Sequence, residues 1–246
     1  GVLQARLDEL GIPYTGSGPR ASQAAMNKSW AKEIYRAHGI RTARHEVCTR
    51  QVRRVTLHMD VGFPLVVKPA GGGSSLGVRI VRDEADLEEA VDAALEQDAF
   101  ALVEQFVAGR EFTVGILGED ALPPVELIVC GGFYDYHAKY SDDSGTRYEC
   151  PADLTKAQEA EARDLALRAH RALGCRDCSR TDMIMDRKGR MVVLETNTLP
   201  GMTGHSLLPM AARAAGLEFH DLVVEQVRRV ANRIVARGSI RRGAAA

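Results

Sequence analysis

A glycine-rich loop lies between two strand-like stretches, and that placement excludes the commonest phosphate-binding folds. Pro64-Leu65-Val66-Val67-Lys68-Pro69 has the short apolar run of a buried strand. Ala70 to Gly77 is rich in Gly and Ser, and Val78 to Val81 is strand-like again. The loop therefore joins a β-hairpin. Successive N–H groups in such a turn form a concave nest that favours phosphate oxygens. Ser74 and Ser75 add hydroxyl donors, and Lys68 adds a compact charge where the strand ends. A P-loop needs a G-x-x-x-x-G-K-[ST] run opening a helix, and a dinucleotide fingerprint also runs into a helix. Neither is present. Gly73-Ser74-Ser75-Leu76-Gly77 does fit G-x-S-x-G, the nucleophile elbow of α/β-hydrolases, but that motif also needs a following helix. A hydrolase with Ser75 as nucleophile and a purely structural glycine loop stand as rival readings.

A second hairpin carries acids. Thr181 to Asp186 and Met191 to Asn197 flank Lys188-Gly189. A two-residue turn there pairs Arg187 with Arg190. Counting outward sets Asp182 opposite Glu195, Thr181 opposite Thr196 and Arg180 opposite Asn197. Directly opposed residues share a sheet face about 5 Å apart. Arg180, Asp182, Glu195 and Asn197 thus form one polar patch. Facing carboxylates repel unless a cation or proton lies between them. Two carboxylates and an amide oxygen are hard donors suited to Mg²⁺ or Mn²⁺, and Mg²⁺ favours phosphate partners. The plainer alternative is a solvated polar face neutralised by Arg180.

The remaining pattern mixes helices and strands, as in α/β or α+β folds. Residues 1–10 read as a helix with Val2, Leu3, Leu7 and Leu10 on one face, followed by the turn-rich stretch 11–19. A single helix is expected over residues 22–38. Strands are expected at 43–48, 101–106, 111–118 and 124–130. Asp83 is expected to cap a helix over the following residues. Residues 131–153 form a long irregular loop, the usual form of a lid. Thr155 to Gln158 is a capping box opening a helix that ends at Gly174. A last helix starts near Asp221, and the tail from Gly238 is expected to fray.

Composition narrows the function class. The net charge of the 246 residues is −1, so no global field favours nucleic acid or an acidic membrane. No apolar run approaches the roughly 20 residues of a membrane span. Five cysteines, an odd number in a chain this long, fit a reduced cytoplasmic setting. Only Lys28, Lys32, Lys68, Lys139, Lys156 and Lys188 are lysine among many arginines, which singles each one out. Cys175-Arg176-Asp177-Cys178 lacks the second pair or redox context a functional C-x-x-C needs. The C-terminal arginines read as a solvated helix face, Trp30 as core packing and His205 as structural.

In order and spacing these motifs resemble the ATP-grasp carboxylate–amine ligases, and among them the D-alanine–D-alanine ligase family. The matching stretches are Pro13 to Gly18, Lys68-Pro69 with Gly73 to Gly77, Glu111 to Val114, and Phe133 to Tyr136 with Ala138-Lys139-Tyr140. They continue through Asn197, Pro200 to Thr203, His205 to Leu207 and Pro209 to Arg213. The resemblance implies an α+β ATP-grasp fold in which two subdomains clamp ATP between their sheets. It divides the chain into a central subdomain (19–106), a C-terminal subdomain (107–236) and a tail (237–246). Residues 1–18 are then the remnant of an N-terminal α/β domain and its linker. The family's acid for the first substrate's ammonium group would lie in the part not represented.

Position by position, the resemblance implies phosphate contacts at Lys28, Lys68, Ser74, Ser75 and Lys139. It implies an adenine strand at Glu104-Gln105-Phe106-Val107 and a ribose contact at Glu111. It gives Asp182, Glu195 and Asn197 as ligands of two Mg²⁺ or Mn²⁺ ions. Arg180 and the Gly201 N–H would stabilise an oxyanion, and Ser206 and Leu207 would hold the second substrate's carboxylate. Tyr140, on the lid, would link to Ser74. The implied activity joins two D-alanines through an acyl phosphate for peptidoglycan precursors, in a cytoplasmic enzyme that is a homodimer when full length. The alternatives are ligation of other amino acids and an ATP-binding fragment without full activity. Thr181 and Thr196 stand where small apolar residues are usual in the family, and His137 where an acid is common.

Overall fold

The computed structural model of the protein describes residues 1–73, 76–128 and 146–243. Among them helices and two antiparallel sheets alternate as α1 (Val2–Glu9), α2 (Pro19–Met26), α3 (Lys28–Ala37), β1 (His45–Cys48), α4 (Leu57–Val61), β2 (Leu65–Pro69), β3 (Arg79–Val81) and α5 (Leu87–Gln97). Next come β4 (Ala101–Gln105), β5 (Gly109–Leu117), β6 (Asp120–Ala121), β7 (Val125–Ile128), β8 (Arg147–Glu149) and α6 (Lys156–Ala172). The chain finishes with β9 (Cys178–Asp186), β10 (Met191–Asn197), α7 (Leu207–Ala214) and α8 (Phe219–Gly243).

The smaller sheet has the order β1-β4-β2-β3, and β2 and β3 form the expected hairpin around the glycine loop. Period-2 alternation sends Leu65, Val67, Ala101 and Val103 to one face, against Leu87, Val91 and Leu95 of α5. The larger sheet has the order β10-β9-β5-β7-β8, and β6 pairs the end of β5 that β7 leaves uncovered. One of its faces buries Phe112, Val114, Met183 and Val193 under α6, α2 and α3. Its other face carries a second core of Leu117, Leu122 and Val125 against Leu207 and Leu208 of α7 and Leu222 of α8. The α+β class expected of the sequence is the one observed.

Several local expectations need correction. The helix over 22–38 is two helices, because Asn27 is extended and its side chain accepts the Trp30 N–H at 3.0 Å. This cap opens a new helix at Lys28, whose own N–H donates to the Ala70 carbonyl at 2.9 Å. Asp83 makes a local turn by accepting from the Ala85 and Asp86 amides, so α5 starts later than expected. The segment 131–153 contains strand β8, and α7 and α4 have no counterpart in the sequence reading. Helix α8 continues past Gly238 to Gly243. Trp30 is 38% exposed and is not core. Arg233 is not simply solvated, since it ion-pairs Asp177 and donates to the Tyr14 carbonyl. In α1, Val2, Leu3 and Leu10 are exposed. The capping box at Thr155 and Gln158 and the Gly174 stop are both present.

Between α6 and β9, His170 is buried with Nδ1 2.7 Å from Ser179 Oγ. Burial lowers its pKa from 6.5 to about 4. The unfolded chain then binds the extra proton between pH 6.5 and 4, so stability falls as pH drops through that window. The loss reaches about 3 kcal/mol. Urea titrations from pH 7 to 4 are expected to show this slope in the parent chain and to lose it in His170→Asn.

Candidate active site

The inward faces of the two sheets enclose a cleft of about 430 Å³, within the range of small-ligand pockets, roughly 300–1,000 Å³. Apolar side chains line it at Val66, Val78, Phe106, Leu127, Ile184 and Leu194, interspersed with Arg110, Glu111 and Glu126. Lys28, Lys68, Asp182 and Glu195 line it as well, with Lys28 Nζ 3.7 Å from Glu195. The apolar side chains suit a flat heterocycle, and the lysines and acids suit polyphosphate with a divalent cation.

The acid-bearing strands reach their expected pairing by an unexpected route. The turn has three residues, Arg187 to Gly189, with Asp186 facing Arg190 and Gly189 at φ +77°. Met185 therefore pairs with Met191 and Met183 with Val193. A β-bulge at Leu194 then inserts one residue, and beyond it Asp182 faces Glu195, Thr181 faces Thr196 and Arg180 faces Asn197. The two-residue turn was wrong, and the bulge cancels the error. It also breaks strict alternation, so consecutive residues Leu194 and Glu195 both line the cleft. On the reverse face Thr181 and Thr196 hydroxyls lie 2.9 Å apart, and Tyr35 donates to Thr196 at 2.8 Å. The Thr181 and Thr196 hydroxyls thus satisfy one another in the core.

Asp182 is fixed by three donors. Arg180 donates to it through Nε at 2.9 Å and a terminal nitrogen at 3.0 Å, and Thr113 Oγ1 donates at 2.5 Å. Glu195 is one-third exposed and lies 3.7 Å from Lys28 Nζ. The Asn197 side-chain oxygen accepts the Leu199 N–H at 2.9 Å, leaving a second lone pair. This all-oxygen set, with Glu195 opening onto the cleft, fits a hard divalent cation.

The lysines are arranged around one acid. Glu104 is buried, 2.9 Å from Lys68 Nζ and 3.3 Å from Lys32 Nζ. Burial alone would raise its pKa, but the two lysines outweigh burial and hold it below the ordinary range. Burial lowers Lys28, with Glu195 partly offsetting the shift. Lys28 Nζ also donates to the Gly72 carbonyl at 2.9 Å, which ties α3 to the glycine loop.

Of the sequence-predicted residues, Lys28, Lys68, Glu104, Phe106, Val107, Glu111, Asp182 and Glu195 meet in this cleft. Arg180 and Asn197 adjoin it by register. The Glu104 carboxylate faces the two lysines, and Glu104 and Gln105 line the cleft together with the strap Phe106 to Ala108. Gly201, Ser206 and Leu207 do not line the cleft. Leu207 is core, which leaves only its amide at the start of α7. Ser206 Oγ accepts the Thr203 N–H at 3.0 Å, and a Cβ on residue 201 would come within 2.6 Å of it. Ser74, Ser75, His137, Lys139 and Tyr140 lie outside the described residues. Sequence reasoning missed Thr113, the Arg110–Glu126 pair (2.7 and 2.5 Å) in the cleft wall, and Lys32. For Lys32 the scarcity of lysine was an available signal. The C-x-x-C is inert: burial raises Cys175 to about 11 and Cys178 to about 12.

The family model described as the D-Ala–D-Ala ligase C-terminus matches residues 34–228. The chain belongs to the D-alanine–D-alanine ligase family. Its relatives include the D-alanine–D-alanine ligase of Bordetella petrii, 45% identical over 238 residues, which are 95% of this chain and 73% of that protein. The Nitrosospira multiformis ligase is 46% identical over 225 residues, 92% of this chain and 73% of that one. Among solved structures, the Bacillus anthracis D-alanine–D-alanine ligase complexed with ATP aligns with TM-score 0.83 and 32% identity. That alignment covers 94% of this chain and 75% of that one. The VanG D-Ala:D-Ser ligase from Enterococcus faecalis aligns with TM-score 0.82 and 28% identity, over 94% and 68%. Family membership favours the metal-site reading of the acidic hairpin over a merely solvated face, and an ATP-grasp ligase over a hydrolase.

Proposed function

We propose that this cleft carries out ATP-dependent, ADP-forming ligation of two D-alanines for peptidoglycan precursor synthesis. The observation that carries the reading is the opposition of Asp182 and Glu195 in a cleft that Lys28 and Lys68 also line, together with apolar side chains able to enclose a base. A carboxylate oxygen of the first D-alanine attacks the γ-phosphorus, giving an acyl phosphate and ADP. The amine of the second D-alanine attacks the acyl carbon, and phosphate leaves from the tetrahedral species. Asp182, Glu195 and Asn197 would hold two Mg²⁺ or Mn²⁺ ions, which would neutralise charge on the transferring phosphoryl group.

Lys28 and Lys68 bind the phosphates, joined by Ser74, Ser75 and Lys139. Val66, Phe106, Val107 and Leu194 enclose the base, and Glu111 holds the ribose. Arg180, whose planar fork is already fixed on Asp182, stabilises the developing oxyanion together with the Gly201 N–H. Ser206 and the Leu207 amide hold the second carboxylate, and Tyr140 closes against Ser74 to exclude water from the acyl phosphate. The boundary between the two grasping units, 19–106 and 107–236, falls in the strap after β4, although α2 and α3 pack on the larger sheet. A cytoplasmic homodimer is the setting this reading favours. The free Cys48, Cys150, Cys175 and Cys178 support a reducing compartment, and no described helix is long and apolar enough to cross a membrane.

The test is calorimetric titration of Mg-ATP, followed by D-alanine-dependent phosphate release with D-serine in parallel. Mg-ATP binding is expected, weakened at least about tenfold in Lys68→Ala. A folded chain that binds no Mg-ATP but cleaves esters, with loss in Ser75→Ala, would overturn the reading in favour of a hydrolase.

A further inference from the structure

Lys32 lies one helical turn below Lys28 on α3, is fully buried and is not itself part of the cleft lining. Its Nζ is 3.3 Å from Glu104 Oε1 and donates to Thr42 Oγ1 at 2.8 Å. The same Glu104 oxygen is 2.9 Å from Lys68 Nζ, whose side chain does line the cleft. One carboxylate thus serves two ammonium groups, and the trio carries a net charge of +1. A fully buried lysine is costly, and burial lowers this one to about 8. Packing alone would be served as well by a Met of similar length.

We infer that Lys32 is a positioning residue that divides the Glu104 charge, so that Lys68 keeps its positive field toward the nucleotide phosphates. Without Lys32, Glu104 belongs to Lys68 alone. The two then form a neutral ion pair in the cleft wall, and the phosphate site loses the positive field of a cation it still contains. Thr42 fixes the far side of the arrangement. Its hydroxyl donates to the Val193 carbonyl of β10 at 2.7 Å, so the buried ammonium is referenced to the larger sheet while Glu104 and Lys68 belong to the smaller one. Lys32 therefore also sets where the phosphate lysine stands relative to the acid pair on β9 and β10. The inference rests on the ATP-binding reading above.

Mg-ATP is titrated calorimetrically into the parent chain, Lys32→Met, Lys32→Met/Glu104→Gln and Lys68→Ala, with thermal melts beside each. Lys32→Met is expected to weaken binding about tenfold or more. The double variant removes the carboxylate that would otherwise neutralise Lys68, and is expected to recover to within about threefold of the parent. A packing role for Lys32 would show no such recovery. Parent-like binding in Lys32→Met overturns the inference, as does a folded double variant that binds as weakly as Lys68→Ala. That second comparison decides the matter should Lys32→Met not fold. Failure of the parent chain itself to bind Mg-ATP is instead a failure of the ATP-binding reading.

Discussion

Glu195→Gln is expected to lower D-alanine-dependent phosphate release by about 10³-fold or more while leaving the fold intact. The substitution keeps shape and one oxygen but removes the charge facing Asp182 across the bulged hairpin. A divalent cation at such a site contributes several kcal/mol to stabilising the phosphoryl transition state, and each 1.4 kcal/mol is about tenfold in rate. Glu195 is one-third exposed and lies 3.7 Å from Lys28 Nζ. Its loss should therefore change stability by under about 0.5 kcal/mol, and the melting temperature by about 2 °C or less. Steady-state rates over a Mg²⁺ series, with a thermal melt, make the check. A rate within tenfold of the parent at saturating Mg²⁺ would remove Glu195 from the metal site.

Arg180→Lys is expected to cost about 10²- to 10³-fold in kcat with the KM for ATP changed by no more than about threefold. Arg180 spans Asp182 with two nitrogens, at 2.9 and 3.0 Å, and a lysine has no such fork. The charge survives, so neutralisation of Asp182 survives with it. What is lost is a planar donor held in place before the oxyanion forms. Retention of kcat would reduce Arg180 to a counter-ion. A rise in KM for ATP matching the fall in rate would mean instead that it acts through Asp182 and the nucleotide.

The parts of this molecule that were legible were those governed by local chemistry. The β2–β3 hairpin around the glycines, the Thr155 capping box and the Gly174 stop follow from turn residues and caps, whereas the pairing of Asp182 with Glu195 was reached only because the misread turn and the Leu194 bulge cancel. What was not legible depended on tertiary context. Asn27 is a good cap residue within an otherwise continuous helical pattern, and the small sheet's demand on the Lys28 amide selects the break. Leu207 and Leu208 look like loop continuation until the underside of the larger sheet needs a cover, and then they start a helix. Leu194 gives no sign of a bulge. Its extra residue is visible only once both halves of the hairpin are in register. Glu104 was given as a nucleotide contact by the family resemblance, and its pairing with two lysines distant in sequence is visible only once the fold brings them together.

The offset between the three-residue turn and the Leu194 bulge has a consequence for how this hairpin tolerates change. The outer half of the ladder is locked from behind by the Tyr35, Thr196 and Thr181 hydroxyls, so its phase does not depend on how the turn is closed. The half nearer the turn is held as well, since Met191 and Val193 are core and the Val193 N–H donates to the Arg41 carbonyl at 2.8 Å. Length added at Arg187 to Gly189 therefore loops out at the tip and leaves the register of the acids in place. The tip of this hairpin is thus a natural place to graft foreign sequence, a reporter loop or an affinity handle, onto a ligase whose chemistry lies only a few residues away.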